Sequence, residues 1–204
     1  MKVGHAHNGD EGRSGLSNAD FPEESKYLVR KVVEAESLEA MEVQPKELVA
    51  VQLEKLIANA CINPLTAIFR CYNGGLITPE VEPLRKALCH EASGVFLAYL
   101  ESTTGLDDEL RARFSPERLE EIALGMTTRT RENKSSMYQD VEAGRETEID
   151  YINQWFVRKG EEAGLDADTH RRVVNAIKEK KVIDQADIAD IFPKVRDLST
   201  RGYR

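Results

Sequence analysis

Lys55, Asn59 and Asn63 stand four residues apart in the stretch Leu53-Glu54-Lys55-Leu56-Ile57-Ala58-Asn59-Ala60-Cys61-Ile62-Asn63-Pro64-Leu65-Thr66-Ala67. Residues at i and i+4 share one face of a helix. The three therefore form a polar stripe on a helix that is otherwise apolar nearly all round. A helix apolar on most sides is buried, so the stripe lines a cleft or an interface. The plainer alternative is a solvated edge of an amphipathic helix. A lysine in such a stripe is a candidate acid, because a desolvated ammonium gives up its proton readily. Asparagines one and two turns further on can hold a small polar ligand through amide hydrogen bonds.

A second stretch, Ser135-Ser136-Met137-Tyr138-Gln139-Asp140-Val141-Glu142-Ala143-Gly144-Arg145-Glu146-Thr147-Glu148-Ile149-Asp150-Tyr151-Ile152-Asn153, is dense in hydroxyl, amide and carboxyl groups. Taken alone it reads as two helices and a turn with solvated charges and a cap. No glycine-rich phosphate loop, G-x-S-x-G elbow or His-Glu metal motif occurs. His5-x-His7 with Asp10 and Glu11 can be drawn as a metal site. It sits among glycines and asparagines that fix no ligand set, so no metal is expected. Cys61, Cys71 and Cys89 are odd in number and lack a C-x-x-C pair. They read as reduced thiols, with Cys61 and Cys89 buried and structural.

The elements that must position these residues are helices. Pro22-Glu23-Glu24 starts one through Tyr27, Leu28, Val32 and Val33. Pro45 opens a second that runs to about Ile62, where Asn63-Pro64 breaks or kinks it. Asn73-Gly74-Gly75 is a turn. Thr78-Pro79-Glu80 leads a long helix through Tyr99, and Gly105 closes that stretch. Ser115-Pro116-Glu117 starts another, and one over about 133–143 stops at Gly144. Thr147 and Asp150 resemble a capping box before Tyr151, Ile152, Trp155 and Phe156. Asp168 or Thr169 caps one more helix, and a short one spans Ala186 to Ile191. Lys2-Val3-Gly4 reads as the stub of a strand, and the glycine-rich residues 5–20 as a loop. Beyond residue 20 no run alternates with period two, so the fold class expected is all-α.

With 204 residues the chain has room for one large domain or two small ones. Its 28 basic and 36 acidic residues give a net charge of −8. That excludes general nucleic-acid binding, which needs a basic footprint. No run of 18 apolar residues is present for a spanning helix, and no apolar segment follows the N-terminus as a secretory signal would require. The expectation is a protein of the cytoplasm, with mitochondria as the second setting.

Together these stretches resemble the C-terminal domain of ketopantoate reductase (2-dehydropantoate 2-reductase). The residues that carry the likeness are Lys55-Leu56, Asn59, Ile62 to Ala67, Asn73-Gly74 with Leu76, Ser135-Ser136-Met137, Gln139-Asp140, Gly144-Arg145 and Thr147 to Asn153. It covers about residues 45 to 180. The family pairs this domain with a Rossmann domain for NADPH, yet no G-x-G-x-x-G occurs here. Residues 1–40 are similar only to the end of such a domain, and 41–204 to the helical substrate-binding and dimerisation domain. That domain is of the kind also found at the C-terminus of 6-phosphogluconate dehydrogenase.

The resemblance implies roles. Lys55 matches the general acid that protonates the ketone as hydride arrives. Asn59, Asn63, Asn73 and Ser136 match positions that hydrogen-bond ketopantoate or pantoate. Glu148 matches a glutamate at the nicotinamide-ribose end of NADPH. The implied function is the substrate-binding part of an NADPH-dependent reductase making pantoate for pantothenate and coenzyme A. The implied partner is a second copy or a Rossmann domain. The alternative is a non-catalytic helical module for dimerisation or hydroxy-acid binding.

Overall fold

The computed structural model describes residues 2–3 and 23–195. In chain order its elements are β1 (Lys2–Val3), α1 (Glu23–Glu34), β2 (Met41–Glu42), α2 (Pro45–Phe69), α3 (Glu82–Thr103), α4 (Asp108–Arg113), α5 (Pro116–Arg129), α6 (Ser136–Glu142), α7 (Asn153–Glu162), α8 (Asp168–Lys178) and α9 (Ile188–Ile191). Single 3-10 turns occupy Glu36–Leu38, Asn73–Leu76, Glu148–Asp150 and Gln185–Asp187. The all-α expectation holds. The two strands pair over two residues each, in parallel, with Lys2 opposite Met41 and Val3 opposite Glu42. The loop residues 5–20, with the His5 and His7 pattern, lie outside the described residues. Among the described residues no helix is long and apolar enough to cross a membrane.

The chain divides into two compact units, Met1–Leu53 and Glu54–Arg204. In the first, α1 buries Val29 but leaves Tyr27 and Leu28 more than half exposed. In the second, α3 packs against α5, α7 and α8. Its core holds Phe96, Phe114 and Phe156, with Phe96 edge-on to Phe114 at 5.4 Å between centroids. Gly160 lets α7 approach closely, since a Cβ there would lie 3.1 Å from the Leu165 carbonyl oxygen.

The sequence misplaces several helix ends. α2 does not stop at Ile62; it runs 25 residues with Pro64 inside. Proline removes the N–H that would bond the carbonyl four residues back. That carbonyl belongs to Ala60, and the Asn153 side-chain amide donates to it at 3.1 Å, so the helix continues. Thr147 makes no side-chain cap, and the residues after it form a 3-10 turn before α7 begins at Asn153. Neither Asp168 nor Thr169 caps α8. The cap comes from α3, whose Glu91 carboxylate accepts from the Thr169 and His170 N–H groups at 3.0 and 3.2 Å. α4 has no counterpart in the sequence reading. Asp107 caps it by accepting the Leu110 N–H at 2.8 Å.

Candidate functional site

α2 is the backbone of the site. From Ile57 to Ile68 every residue is buried except Asn59 and Asn63, which are half-buried, and Lys55 one turn earlier is exposed. Asn59 and Asn63 are thus the open positions on the buried half of α2, whereas Lys55 stands where the helix is open on several sides and is solvated rather than desolvated. At about 1.5 Å rise per residue, Lys55 and Asn63 lie about 12 Å apart along the axis. Their side chains can converge on a ligand of that size or smaller.

Two further segments are tied to α2 at this line. The Ser135 hydroxyl, which caps α6 by accepting the Tyr138 N–H at 3.1 Å, lies 3.3 Å from the Asn63 carbonyl oxygen. Ser136, the first residue of α6, is therefore held beside Asn63. The turn Asn73–Leu76 is stitched to the loop before α6. The Asn73 N–H donates to the Asn133 carbonyl at 3.0 Å and the Gly74 N–H to Arg131 at 2.9 Å. Gly74 keeps the two segments close, because a Cβ there would sit 3.0 Å from Arg131 Cβ and force the loop to give by a few tenths of an ångström. Asn63, Asn73 and Ser136 are in this way brought to one region. Glu148 opens the 3-10 turn five residues before Asn153, whose amide is anchored on Ala60 beside Asn59.

Five of the six side chains to which the resemblance gives roles share one property. Among the described residues Lys55 Nζ, the Asn59 and Asn63 amides, the Ser136 hydroxyl and the Glu148 carboxylate have no hydrogen-bond or ion-pair partner. Glu54, the neighbour of Lys55, is paired with Arg113 Nε at 2.8 Å. Asn73 differs: it is buried and donates through Nδ2 to Thr130 Oγ1 at 2.9 Å, while its Oδ1 is buried with no partner. Thr130 Oγ1 itself donates to the Met126 carbonyl at 2.8 Å, which fixes which end of the Asn73 amide is an acceptor.

Several side chains near these are partnered. Thr66 and Ser135 share a hydroxyl–hydroxyl bond of 2.7 Å. Lys134 pairs with Glu142 and lies over the Tyr138 ring at 4.4 Å, and the Glu142 hydrogen bond raises its ammonium above the ordinary lysine range. Cys61 and Cys89 are buried free thiols 3.9 Å apart, as their apolar surroundings imply. Burial pushes the Cys71 thiol up to about 11. Beside Glu148 a cleft of about 400 Å³ has Val141, Ile149 and Ile177 among its walls and Arg145, Lys178 and Lys180 around it.

The sequence assigns no role to Thr66, Thr130, Asn153, Glu91 or His170, although Thr66 and Asn153 lie in the stretches that carry the resemblance. One signal was available. A proline inside an apolar helix leaves a carbonyl in need of a donor, and Asn153 belongs to the second dense stretch.

The family model described as ketopantoate reductase PanE/ApbA, C terminal, matches residues 47–181. A ketoisovalerate reductase of Beauveria bassiana is 33% identical over 186 residues, covering 74% of this chain and 40% of its own. A 2-dehydropantoate 2-reductase of Vibrio cholerae is 38% identical over 124 residues, covering 61% and 38%. The crystal structure of a PanE/ApbA family ketopantoate reductase from Ralstonia eutropha superposes with a TM-score of 0.53 at 25% identity, covering 69% of this chain and 43% of that one. The chain spans about two-fifths of the length of the curated relatives it matches.

Proposed function

The chain belongs to the ketopantoate reductase family, as its C-terminal domain, and from that premise we propose that it is the substrate-binding and dimerisation part of an NADPH-dependent reductase converting 2-dehydropantoate to pantoate. The observation that carries this reading is the line of partner-free polar groups Lys55, Asn59 and Asn63 along α2, with Ser135, the neighbour of Ser136, bonded to the Asn63 carbonyl.

A bound NADPH would supply the hydride for the C2 carbonyl carbon of the keto acid. The Lys55 ammonium stabilises the negative charge that builds on the carbonyl oxygen and transfers a proton to it. Lys55 then regains a proton from water. The Asn59 and Asn63 amides each offer a donor and an acceptor, which suits a carboxylate and a hydroxyl on one small ligand. Ser136 adds a hydroxyl from α6, while the Asn73 amide, buried and donating to Thr130, holds the turn beside it rather than facing the ligand. Ribose hydroxyls are donors, and the exposed, unpaired Glu148 carboxylate suits them. The phosphate-binding turn for the cofactor would come from residues outside this sequence.

Residues 1–40 fit the closing part of such a cofactor domain. A parallel strand pair needs a crossover connection, and α1 lies in the chain between β1 and β2. Exposed Tyr27, Leu28 and Met41 in that unit suit a covering layer. Tyr72, Ile77 and Val182, exposed in the second unit, suit a dimer contact.

The test is NADPH oxidation with ketopantoate, by the chain alone and with a separately expressed dinucleotide-binding domain of the family. Activity in the second arrangement is expected. No rate in either sinks the proposal and favours the non-catalytic module. A second reading, reduction of ketoisovalerate, is supported by the wider coverage of the Beauveria relative. Ketoisovalerate lacks the hydroxyl of ketopantoate, so kcat/KM for the two substrates separates the readings.

A further inference from the structure

We infer that Thr66 and Ser135 are a positioning pair that sets the spacing of Asn63 and Ser136, an inference that rests on the function proposed above. Both are buried. Their hydroxyl oxygens lie 2.7 Å apart, joining α2 to the start of α6 across 69 residues of chain. Thr66 Oγ1 is also 3.0 Å from the carbonyl oxygens of both Ile62 and Asn63. Ser135 Oγ is 3.3 Å from the Asn63 carbonyl oxygen and accepts the Tyr138 N–H at 3.1 Å.

Two hydroxyl protons serve this cluster. Thr66 can donate to a carbonyl of its own helix while Ser135 donates to Thr66. Alternatively Thr66 donates to Ser135 while Ser135 donates to the Asn63 carbonyl. Both arrangements tie the first turn of α6 to α2 at the Asn63 turn. An apolar contact there would let α6 slide, because dispersion is weakly directional. Hydrogen bonds of this kind weaken steeply with distance and angle. The restraint falls where α2 is least held by its own bonding, since Pro64 contributes no N–H. Asn63 and Ser136 flank the cluster with their side-chain polar groups free. The pair therefore fixes how far apart those groups stand when a ligand meets both.

The experiment measures pantoate affinity by NMR titration of the 204-residue chain. Thr66→Val removes the hydroxyl at nearly constant shape and is expected to weaken pantoate about tenfold. Thr66→Ser restores it, and Ser135→Ala, which also removes the α6 cap and the tie to the Asn63 carbonyl, weakens pantoate at least as much. Ser115, which caps α5 in the same way by accepting the Arg118 N–H, is the control. Ser115→Ala lowers stability and leaves affinity unchanged. Should Thr66→Val not fold, Ser135→Ala against Ser135→Thr makes the same comparison. Wild-type affinity in Thr66→Val and Ser135→Ala, beside weakened binding in Asn63→Ala, overturns the positioning role alone. Unchanged affinity in Asn63→Ala overturns the site reading, and the pair with it.

Discussion

The Asn153 side-chain amide donates to the Ala60 carbonyl at 3.1 Å, and Ala60 is the residue that Pro64 leaves without a helical donor. The same nitrogen lies 3.2 Å from His170 Nδ1, and His170 Nε2 lies 3.1 Å from the Leu88 carbonyl oxygen. Nε2 must donate to that carbonyl, so Nδ1 is bare and accepts from Asn153. A defect in α2 is thus repaired by α7, and α7 is in turn set by α8 and α3. The repair keeps Asn63 in line with Lys55 and Asn59.

Asn153→Ala should destabilise the chain by about 2–4 kcal/mol, because it strands the Ala60 carbonyl and His170 Nδ1 in the interior. Pro64→Ala supplies an N–H to the same carbonyl. In that background Asn153→Ala should cost about 1 kcal/mol less. Urea denaturation of the four proteins of the cycle measures the coupling. Strict additivity would show that Asn153 does not repair the proline gap.

His170 makes stability depend on acid. Its imidazole is fully buried, and burial pushes it from 6.5 to about 4. Between those values the unfolded chain binds a proton that the folded chain does not. Stability from this group is therefore complete above pH 6.5 and falls as the pH drops toward 4, by on the order of 3 kcal/mol. Urea midpoints at pH 7.5 and 4.5 should differ more for the wild type than for His170→Gln. An equal pH dependence in both would rule His170 out as the cause.

The stripe was legible because a 3.6-residue period places Lys55, Asn59 and Asn63 on one face whatever the rest of the fold does. Helix starts such as Ser115-Pro116 were legible because a cap is local. Sequence could not say that Glu91, deep in α3, caps α8, since that bond spans 78 residues. Nor could it say that α2 survives Pro64, because the compensating donor lies 93 residues from Ala60. The turn at Asn73 was visible from its glycines. The burial of Asn73 was not, since it depends on the docked loop carrying Arg131 and Asn133.

Glu91 should be among the least replaceable polar residues. Its carboxylate accepts from two backbone N–H groups, from Thr169 Oγ1 at 2.7 Å and from Lys194 Nζ at 2.7 Å. Glu91→Ala leaves the buried donors at the start of α8 without an acceptor and should cost on the order of 3–5 kcal/mol. Lys194→Met leaves those donors satisfied but strips the buried carboxylate of its counter-ion, so it should cost less than Glu91→Ala without being neutral. Chemical denaturation ranks the two, and equal losses would contradict the capping role.

Glu148→Ala should raise the KM for NADPH in the enzyme reconstituted with a dinucleotide-binding domain, leaving kcat at saturating cofactor nearly unchanged. A carboxylate that only accepts ribose hydroxyls contributes binding in ground and transition states alike. Steady-state kinetics at varied NADPH reads the split. A fall in kcat with unchanged KM would assign Glu148 to the chemical step instead.

Lys55 offers the cleanest separation of chemistry from stability. Its side chain is exposed and has no partner among the described residues, so Lys55→Ala should leave the melting temperature unchanged. Turnover in the same reconstituted enzyme should fall by on the order of 10²–10⁴, the loss expected when a positioned acid is removed. Lys55→Arg discriminates between charge and proton. A guanidinium keeps the positive charge but holds its proton too tightly to give it up. It should therefore recover substrate affinity without recovering turnover. If Lys55→Arg turns over like the wild type, the residue acts as a charge alone and the proton comes from elsewhere.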